Sequence, residues 1–203
     1  FQMQYFNSDG KESSLCGNGG RCAVAFAHSK NIFSDATTFF AVDGLHAATY
    51  ISPDEVQLEI KNVSELSKTE NGLIINTGSP HYIRLVEDIQ AIDVEKEGAS
   101  IRHSDSFLPN GINVNFVEKV DSKRYKIRTY ERGVEGETLA CGTGAVAAAL
   151  GMHYLKESEG IKEILMEAKG GDLEISFQVT EHKYHQIFLK GPATHVFSGK
   201  VEL

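Results

Sequence analysis

Tyr5-Phe-Asn-Ser-Asp-Gly-Lys-Glu12-Ser-Ser-Leu-Cys16-Gly17-Asn18-Gly19 and Tyr130-Glu-Arg-Gly-Val-Glu-Gly-Glu137-Thr-Leu-Ala-Cys141-Gly142-Thr143-Gly144 are two versions of one pattern, 125 residues apart. In each, Tyr stands eleven positions and Glu four positions before a Cys-Gly-x-Gly, and a run of small residues follows. An internal repeat of this kind outranks local propensity in deciding a fold. It predicts two pseudo-equivalent halves, each with a strand, a polar loop, a cysteine and a helix start, and it brings the two cysteines to opposite walls of one cleft.

The small-residue runs, Gly20 to Lys30 and Gly144 to Glu157, are the two segments that read as helices. Both are apolar nearly all round, which predicts helices enclosed by sheet. Strands are predicted at Thr38 to Val42, Val56 to Ile60, Leu73 to Asn76, Tyr82 to Val86, Ile112 to Val117, Tyr125 to Tyr130, Ile164 to Glu167, Leu173 to Val179 and Gln186 to Leu189. Most are bounded by Gly, Asn, Asp or Pro. The opening Phe1 to Phe6 alternates like a strand and has neither the basic start nor the apolar core of a leader. Asn71-Gly72, after the polar stretch Asn62 to Glu70, reads as a turn and a domain boundary.

Composition narrows the function. With 41% hydrophobic and 24% charged residues the 203-residue chain can build a packed core, as one large domain or two small ones. Its 20 basic and 28 acidic residues, net −8, argue against nucleic acid as a partner. No stretch approaches the roughly 18 apolar residues of a membrane helix. Three cysteines are too few for a disulfide scaffold, and Cys16 and Cys22 lack zinc-site spacing. Free thiols in a reducing cytoplasm are expected. Cys22, six positions beyond Cys16, is read as a core residue.

A thiol works as base or nucleophile only as thiolate, so its reference pKa of about 8.5 must fall. A helix N-terminus supplies unpaired N–H groups and a positive dipole end, which favour thiolate and can hold a carboxylate. Two opposed cysteines suit inversion at a carbon bearing an acidic hydrogen: a thiolate removes the proton from one face and a thiol delivers one to the other. No Ser-His-Asp set, Walker loop or His-Glu-x-x-His motif competes.

These residues resemble the diaminopimelate epimerase family. The resemblance rests on Tyr5-Phe-Asn-Ser-Asp-Gly, Cys16-Gly-Asn-Gly-Gly-Arg21-Cys, Tyr130-Glu-Arg-Gly and Glu137-Thr-Leu-Ala-Cys-Gly-Thr-Gly144. Gly78-Ser-Pro-His81, Gly111-Ile-Asn113-Val-Asn-Phe and Gly191-Pro-Ala-Thr-His-Val-Phe-Ser-Gly199 follow the same order. It implies interconversion of LL- and meso-diaminopimelate without pyridoxal phosphate, other cofactor or metal, in lysine and peptidoglycan precursor synthesis, with a homodimer left open. Cys16 and Cys141 become the acid/base pair, and His81 and Glu131 support proton transfer. Asn7, Asn113 and Arg132 recognise the remote amino-carboxylate end. The amides of Gly17, Asn18, Gly142 and Thr143 hold the carboxylate beside the reacting carbon, where the carbanion must be stabilised. Ser79 stands where the family often has Asn, and its shorter hydroxyl would reach substrate through water. Glu131 to Thr138 carries one residue more than the usual family spacing, which a loop absorbs.

The implied fold is α/β with mixed strands: two pseudo-symmetric domains, each a curved mixed sheet or barrel around a central helix. Residues 1–68 with 191–203 form one, the last dozen or so residues returning as a strand; 69–190 form the other. Family members carry several dozen residues before Tyr-Phe-Asn, including a Gly-Asn-Asp-Phe motif. The first domain is therefore expected to be incomplete, and this chain alone poorly active or inactive. Three alternatives compete, and the first shares the two-cysteine logic. A proline or hydroxyproline racemase has Cys-Gly-His-Gly at the first cysteine, where this chain has Asn18, and lacks Glu-Arg-Gly. A thiol redox or sensing protein would join Cys16 to Cys141. An anion-binding module would use the two helix starts alone.

Overall fold

A computed structural model describes residues 1–6, 10, 12, 15–158, 160–181 and 183–200. The first helix, α1 (Gly17–Ser29), precedes a meander of β1 (Ala36–Ala41), β2 (Gly44–Ser52) and β3 (Glu55–Ile60). The hairpin β4 (Leu66–Lys68) and β5 (Leu73–Asn76) turns at the expected Asn71-Gly72, where the Thr69 amide donates to the Gly72 carbonyl at 2.8 Å. Then come β6 (Pro80–Val86), α2 (Val94–Arg102), β7 (Asn113–Lys119), β8 (Arg124–Glu131), β9 (Gly136–Thr138), α3 (Gly142–Tyr154), β10 (Glu163–Ala168), β11 (Gly171–Thr180) and β12 (Lys183–Pro192). All predicted strands from Thr38 onward are present.

The strands form one mixed sheet in the order β1-β2-β3-β12-β11-β10-β8-β7-β6-β5-β4, with β9 on β8. The β6/β7 and β8/β10 pairs are parallel and the rest antiparallel. β12 is the seam. Ile187 to Pro192 pairs with β3 while Lys183 to Lys190 pairs with β11, so one strand ties the first half of the sheet to the second. Residues 193–200 carry no strand; the return of the chain to the first half is made by β12.

α3 is the centre of the core. Every residue from Gly142 to Met152 is buried, and the helix touches β5 to β8 and β10 to β12. Four alanines and three glycines let the strands close on it from all sides, and a Cβ added at Gly151 would crowd Leu73 and Ile75, at 3.2 and 3.3 Å. This is the enclosed helix that the apolar run predicts.

Three expectations are corrected. α1 is not apolar all round: it buries Gly17, Gly20, Arg21, Val24 and Ala27, a single stripe at helical spacing, and leaves Phe26 64% exposed. Cys22 is accordingly exposed rather than core, because Arg21 takes the inward position beside it. Phe1 to Phe6 makes only isolated contacts along β1, through Gln2 and the Met3 amide, instead of a strand.

A third helix was not predicted. α2 is polar and has Gly98 in its middle, which lowers helix propensity. It forms because Asp93 caps it, accepting from the Lys96 amide at 3.1 Å, and because Gly98 admits the Tyr130 side chain. A Cβ at Gly98 would lie 2.5 Å from Tyr130 Cβ. Gly98→Ala therefore gives a sign test. Propensity alone would stabilise by about 1 kcal/mol, whereas overpacking against Tyr130 is expected to win and destabilise by about 1–3 kcal/mol, read from the urea midpoint.

Candidate active site

Cys16 and Cys141 hold the same structural position. Each is the extended N-cap residue of its helix, at φ −84°, ψ 118° and φ −113°, ψ 111°. The Cys16 sulfur accepts from the Gly19 amide at 3.4 Å. The helices α1 and α3 meet start to start. A Cβ added to Gly17 would stand 3.1 Å from Gly142 Cα, one added to Gly142 would stand 3.0 Å from Gly17 Cα, and either would press on Leu189 of β12. Any side chain at either position would push the helix starts apart, so the close approach requires glycine.

The contact is clamped by a buried cation that the sequence reading did not select. Arg21, 4% exposed, donates to the Gly17 carbonyl at 3.2 Å, to the Pro192 carbonyl at 3.3 Å and to Asn18 Oδ1 at 3.0 Å. The Asn18 amide nitrogen, thus oriented, donates to the Ala140 carbonyl at 2.9 Å, directly before Cys141. Burial lowers the Arg21 pKa. The available clue was a cation near the start of a helix, where the dipole disfavours it.

Between the helix starts lies a cleft of about 530 Å³. Cys16, Gly17 and Asn18 line it from one side and Cys141, Gly142 and Thr143 from the other, with Ser79, Asn113, Glu131 and Arg132 on the surrounding wall. The structure thus brings together all the predicted residues except two. Asn7 lies outside the described residues. His81 is fully buried behind Thr143 and does not line the cleft. Tyr5, Arg102 and Asn110, not selected from the sequence, do line it.

Asn113 is held by three bonds. Its nitrogen donates to Ser79 Oγ at 2.9 Å and to the Pro80 carbonyl at 3.1 Å, and its oxygen accepts from the Arg132 amide at 2.9 Å. Since Ser79 Oγ accepts here, its own hydrogen is free to turn elsewhere. The Arg132 guanidinium donates to the Asn110 carbonyl at 3.3 Å. The repeat diverges at its outer positions. Tyr5 faces the cleft and bonds Cys16, while Tyr130 is buried with its hydroxyl donating to Glu135 at 3.3 Å. Glu137 is paired with Arg128 at 2.7 Å and Lys169 at 2.8 Å, away from the cysteines.

The electrostatics of the two sides differ. Burial, and then the Glu131 charge, push the Cys141 thiol up to about 12, against weaker opposing bonds from Thr143 and the Gly144 amide. Burial also raises Glu131, whose carboxylate accepts from Thr138 Oγ1 at 2.6 Å and bonds the Cys141 thiol. Burial followed by Cys16 raises Tyr5, which keeps its phenol protonated as a donor. His81 is held neutral, its pKa lowered to about 3 by burial and then by the Arg132 charge. Among the described residues no group of three or more His, Cys, Asp or Glu is placed to hold a metal ion, and no helix is long and apolar enough to cross a membrane.

Comparison with solved structures shows the fold. A hydroxyproline epimerase from Agrobacterium vitis superposes with a TM-score of 0.71 at 14% identity, covering 94% of this chain and 67% of that one. A phenazine biosynthesis protein of the PhzF family from Bacillus anthracis gives 0.72 at 16% identity, covering 94% and 76%. In sequence, residues 73–196 match the diaminopimelate epimerase family profile. The diaminopimelate epimerase of Flavobacterium psychrophilum is 48% identical over 97% of this chain and 77% of its own length. That of Aquifex aeolicus is 38% identical over 99% and 74%. Two cysteine-capped helix starts facing one cleft, on a mixed α/β fold of this kind and with this sequence similarity, show that the chain belongs to the diaminopimelate epimerase family of amino-acid epimerases, isomerases of lysine biosynthesis.

Proposed function

We propose that Cys16 and Cys141 are the acid/base pair that inverts one α-carbon of diaminopimelate, interconverting the LL and meso forms without a cofactor. The observation that carries this reading is the contact between Gly17 and Gly142, which sets the two cysteine caps on either side of one cleft. The substrate carboxylate sits between the helix starts, where the first-turn amides of Gly17, Asn18, Gly142 and Thr143 have no carbonyl of their own helix to bond. Removing the α-proton to one cysteine moves charge into that carboxylate, and the amides and dipole ends meet it there. The other cysteine protonates the opposite face, and the two exchange roles on the return.

In the resting cleft Cys141 carries its proton, because its surroundings oppose the thiolate; it is the acid for the epimer whose α-hydrogen faces Cys16. When the other epimer binds and Cys141 must act as base, Glu131, bonded to that thiol, takes its proton, and Cys16 draws its own from solvent. The remote end of the substrate carries a second amino-carboxylate group. Arg132 offers a cation to its carboxylate, with Arg102 on the same wall paired to Glu135 at 3.0 Å, and Asn113 and Ser79 complete that subsite. We read the single sheet as two lobes, residues 1–68 with 191–203 and 69–190; one cysteine-capped helix in each supports this division, with β12 joining them. A reducing cytoplasm suits two free thiols.

A racemase for proline-type substrates shares the fold, but here Asn18 spends its side chain on Ala140 and Arg21, and the second cationic wall has no counterpart in proline. A substrate panel of diaminopimelate, proline and hydroxyproline is expected to show turnover of diaminopimelate alone by the full-length protein.

Two further outcomes are expected. Cys16→Ser and Cys141→Ser in the full-length protein should each lower epimerisation by about 10²–10⁴-fold, the scale of a lost acid/base group, measured with solvent deuterium uptake at the α-carbon; activity retained in either variant contradicts the two-base reading. Alkylation of Cys141 in the empty cleft, resolved by peptide mass spectrometry, should rise about tenfold per pH unit through pH 10 without a plateau, because only the thiolate reacts. A plateau below pH 9 would mean that burial and Glu131 do not hold the proton on.

A further inference from the structure

Behind Thr143 runs a buried hydrogen-bond chain whose direction is fixed at every link up to the Thr143 hydroxyl. Thr129 on β8 faces Asn115 on β7, and both are buried. Thr129 Oγ1 lies 3.0 Å from Asn115 Oδ1, and the Asn115 nitrogen lies 3.2 Å from both the Tyr82 carbonyl and His81 Nδ1. The Tyr82 carbonyl can only accept, so the nitrogen of Asn115 must face it and the amide cannot be turned over. His81 Nδ1 therefore meets an N–H and acts as acceptor. A neutral imidazole has one proton, which is left on Nε2. That Nε2–H donates to Thr143 Oγ1 at 3.0 Å. Having accepted from His81, the Thr143 hydroxyl has its own hydrogen to give to the Cys141 sulfur, 3.6 Å away, whenever that sulfur is the thiolate.

We infer that Thr129, Asn115, His81 and Thr143 form a one-way hydrogen-bond chain that presents a donor to the Cys141 sulfur, with Asn115 and Thr143 as positioning residues and His81 as a fixed donor rather than a base. The assignment rests on Cys141 being one of the proton-transfer pair. Both ring nitrogens of His81 are engaged, one accepting and one already protonated, so the ring has no free site for a proton from a thiol. Its contribution is to orient Thr143, which stabilises the thiolate each time Cys141 loses its proton. The close fit of Gly144, where an added Cβ would stand 2.4 Å from Asn115 Oδ1, keeps the start of α3 against the chain.

The test reads protonation and reactivity rather than turnover. Protein labelled with [15N]histidine is expected to show His81, assigned by the signal lost in His81→Gln, as the Nε2–H tautomer; Asn115→Asp, whose carboxylate accepts from Nδ1, should convert it to Nδ1–H. In Thr143→Val, alkylation of Cys141 should slow by about tenfold relative to Cys16 in the same sample, the scale of one lost bond to a charged acceptor, and Thr143→Ser should restore it. If Asn115→Asp does not fold, the wild-type spectrum and the Thr143 pair decide. An Nδ1–H tautomer in the wild type, an Nε2–H tautomer in a folded Asn115→Asp, or Cys141 reactivity unchanged in Thr143→Val would overturn the chain. Full epimerase activity in Cys141→Ser would instead sink the two-cysteine reading while leaving the tautomer and reactivity results standing, so the two failures are distinguishable.

Discussion

The contact between the starts of α1 and α3 is the constraint on which the rest of the structure depends. Two positive dipole ends are pressed together with only Gly17 and Gly142 between them, an arrangement that is unfavourable in itself. It persists because the surroundings over-determine it. The burial of α3 on all sides fixes one helix, and β12, paired to β3 and to β11, fixes the distance to the other. Arg21 and Asn18 then tie the first helix start to the Ala140 carbonyl. What is repulsive in the empty protein is attractive to a carboxylate, so the strain of the fold and the affinity of the site have the same origin.

The two cysteines are equivalent in backbone and unequal in surroundings. Cys16 stands beside the Tyr5 phenol; Cys141 stands between Glu131, which opposes the thiolate, and Thr143, which favours it. The two-base reaction proposed above needs one thiol and one thiolate at any moment, and an asymmetric pair meets that need better than two identical environments would. The repeat gives the geometry, and the divergence of the residues around it gives the poise.

Much of this was legible in the sequence because the repeat is a physical statement. Equal spacing from Tyr to Glu to Cys-Gly-x-Gly places two thiols at two helix starts, and the all-apolar run after Gly144 reads directly as an enclosed helix. The residues that were misread are those whose role depends on a distant partner. Gly98 argues against a helix until Tyr130 is seen to occupy the space of its missing Cβ. Cys22 and Arg21 are adjacent, and hydropathy buries the wrong one, since nothing local reveals that three carbonyl and amide oxygens await the guanidinium. His81 reads as a site residue, yet lies one layer behind, where only the positions of Asn115 and Thr143 show what its nitrogens do.

The central claim is that Cys16 and Cys141 face each other across one cleft that an amino-carboxylate fills. Reaction with dibromobimane, which fluoresces when it bridges two thiols, tests this most directly. The account predicts a single bridge between Cys16 and Cys141, located by peptide mapping and suppressed when diaminopimelate is present. Fluorescence arising from a bridge to the exposed Cys22, or a Cys16–Cys141 bridge whose yield is indifferent to diaminopimelate, would contradict it.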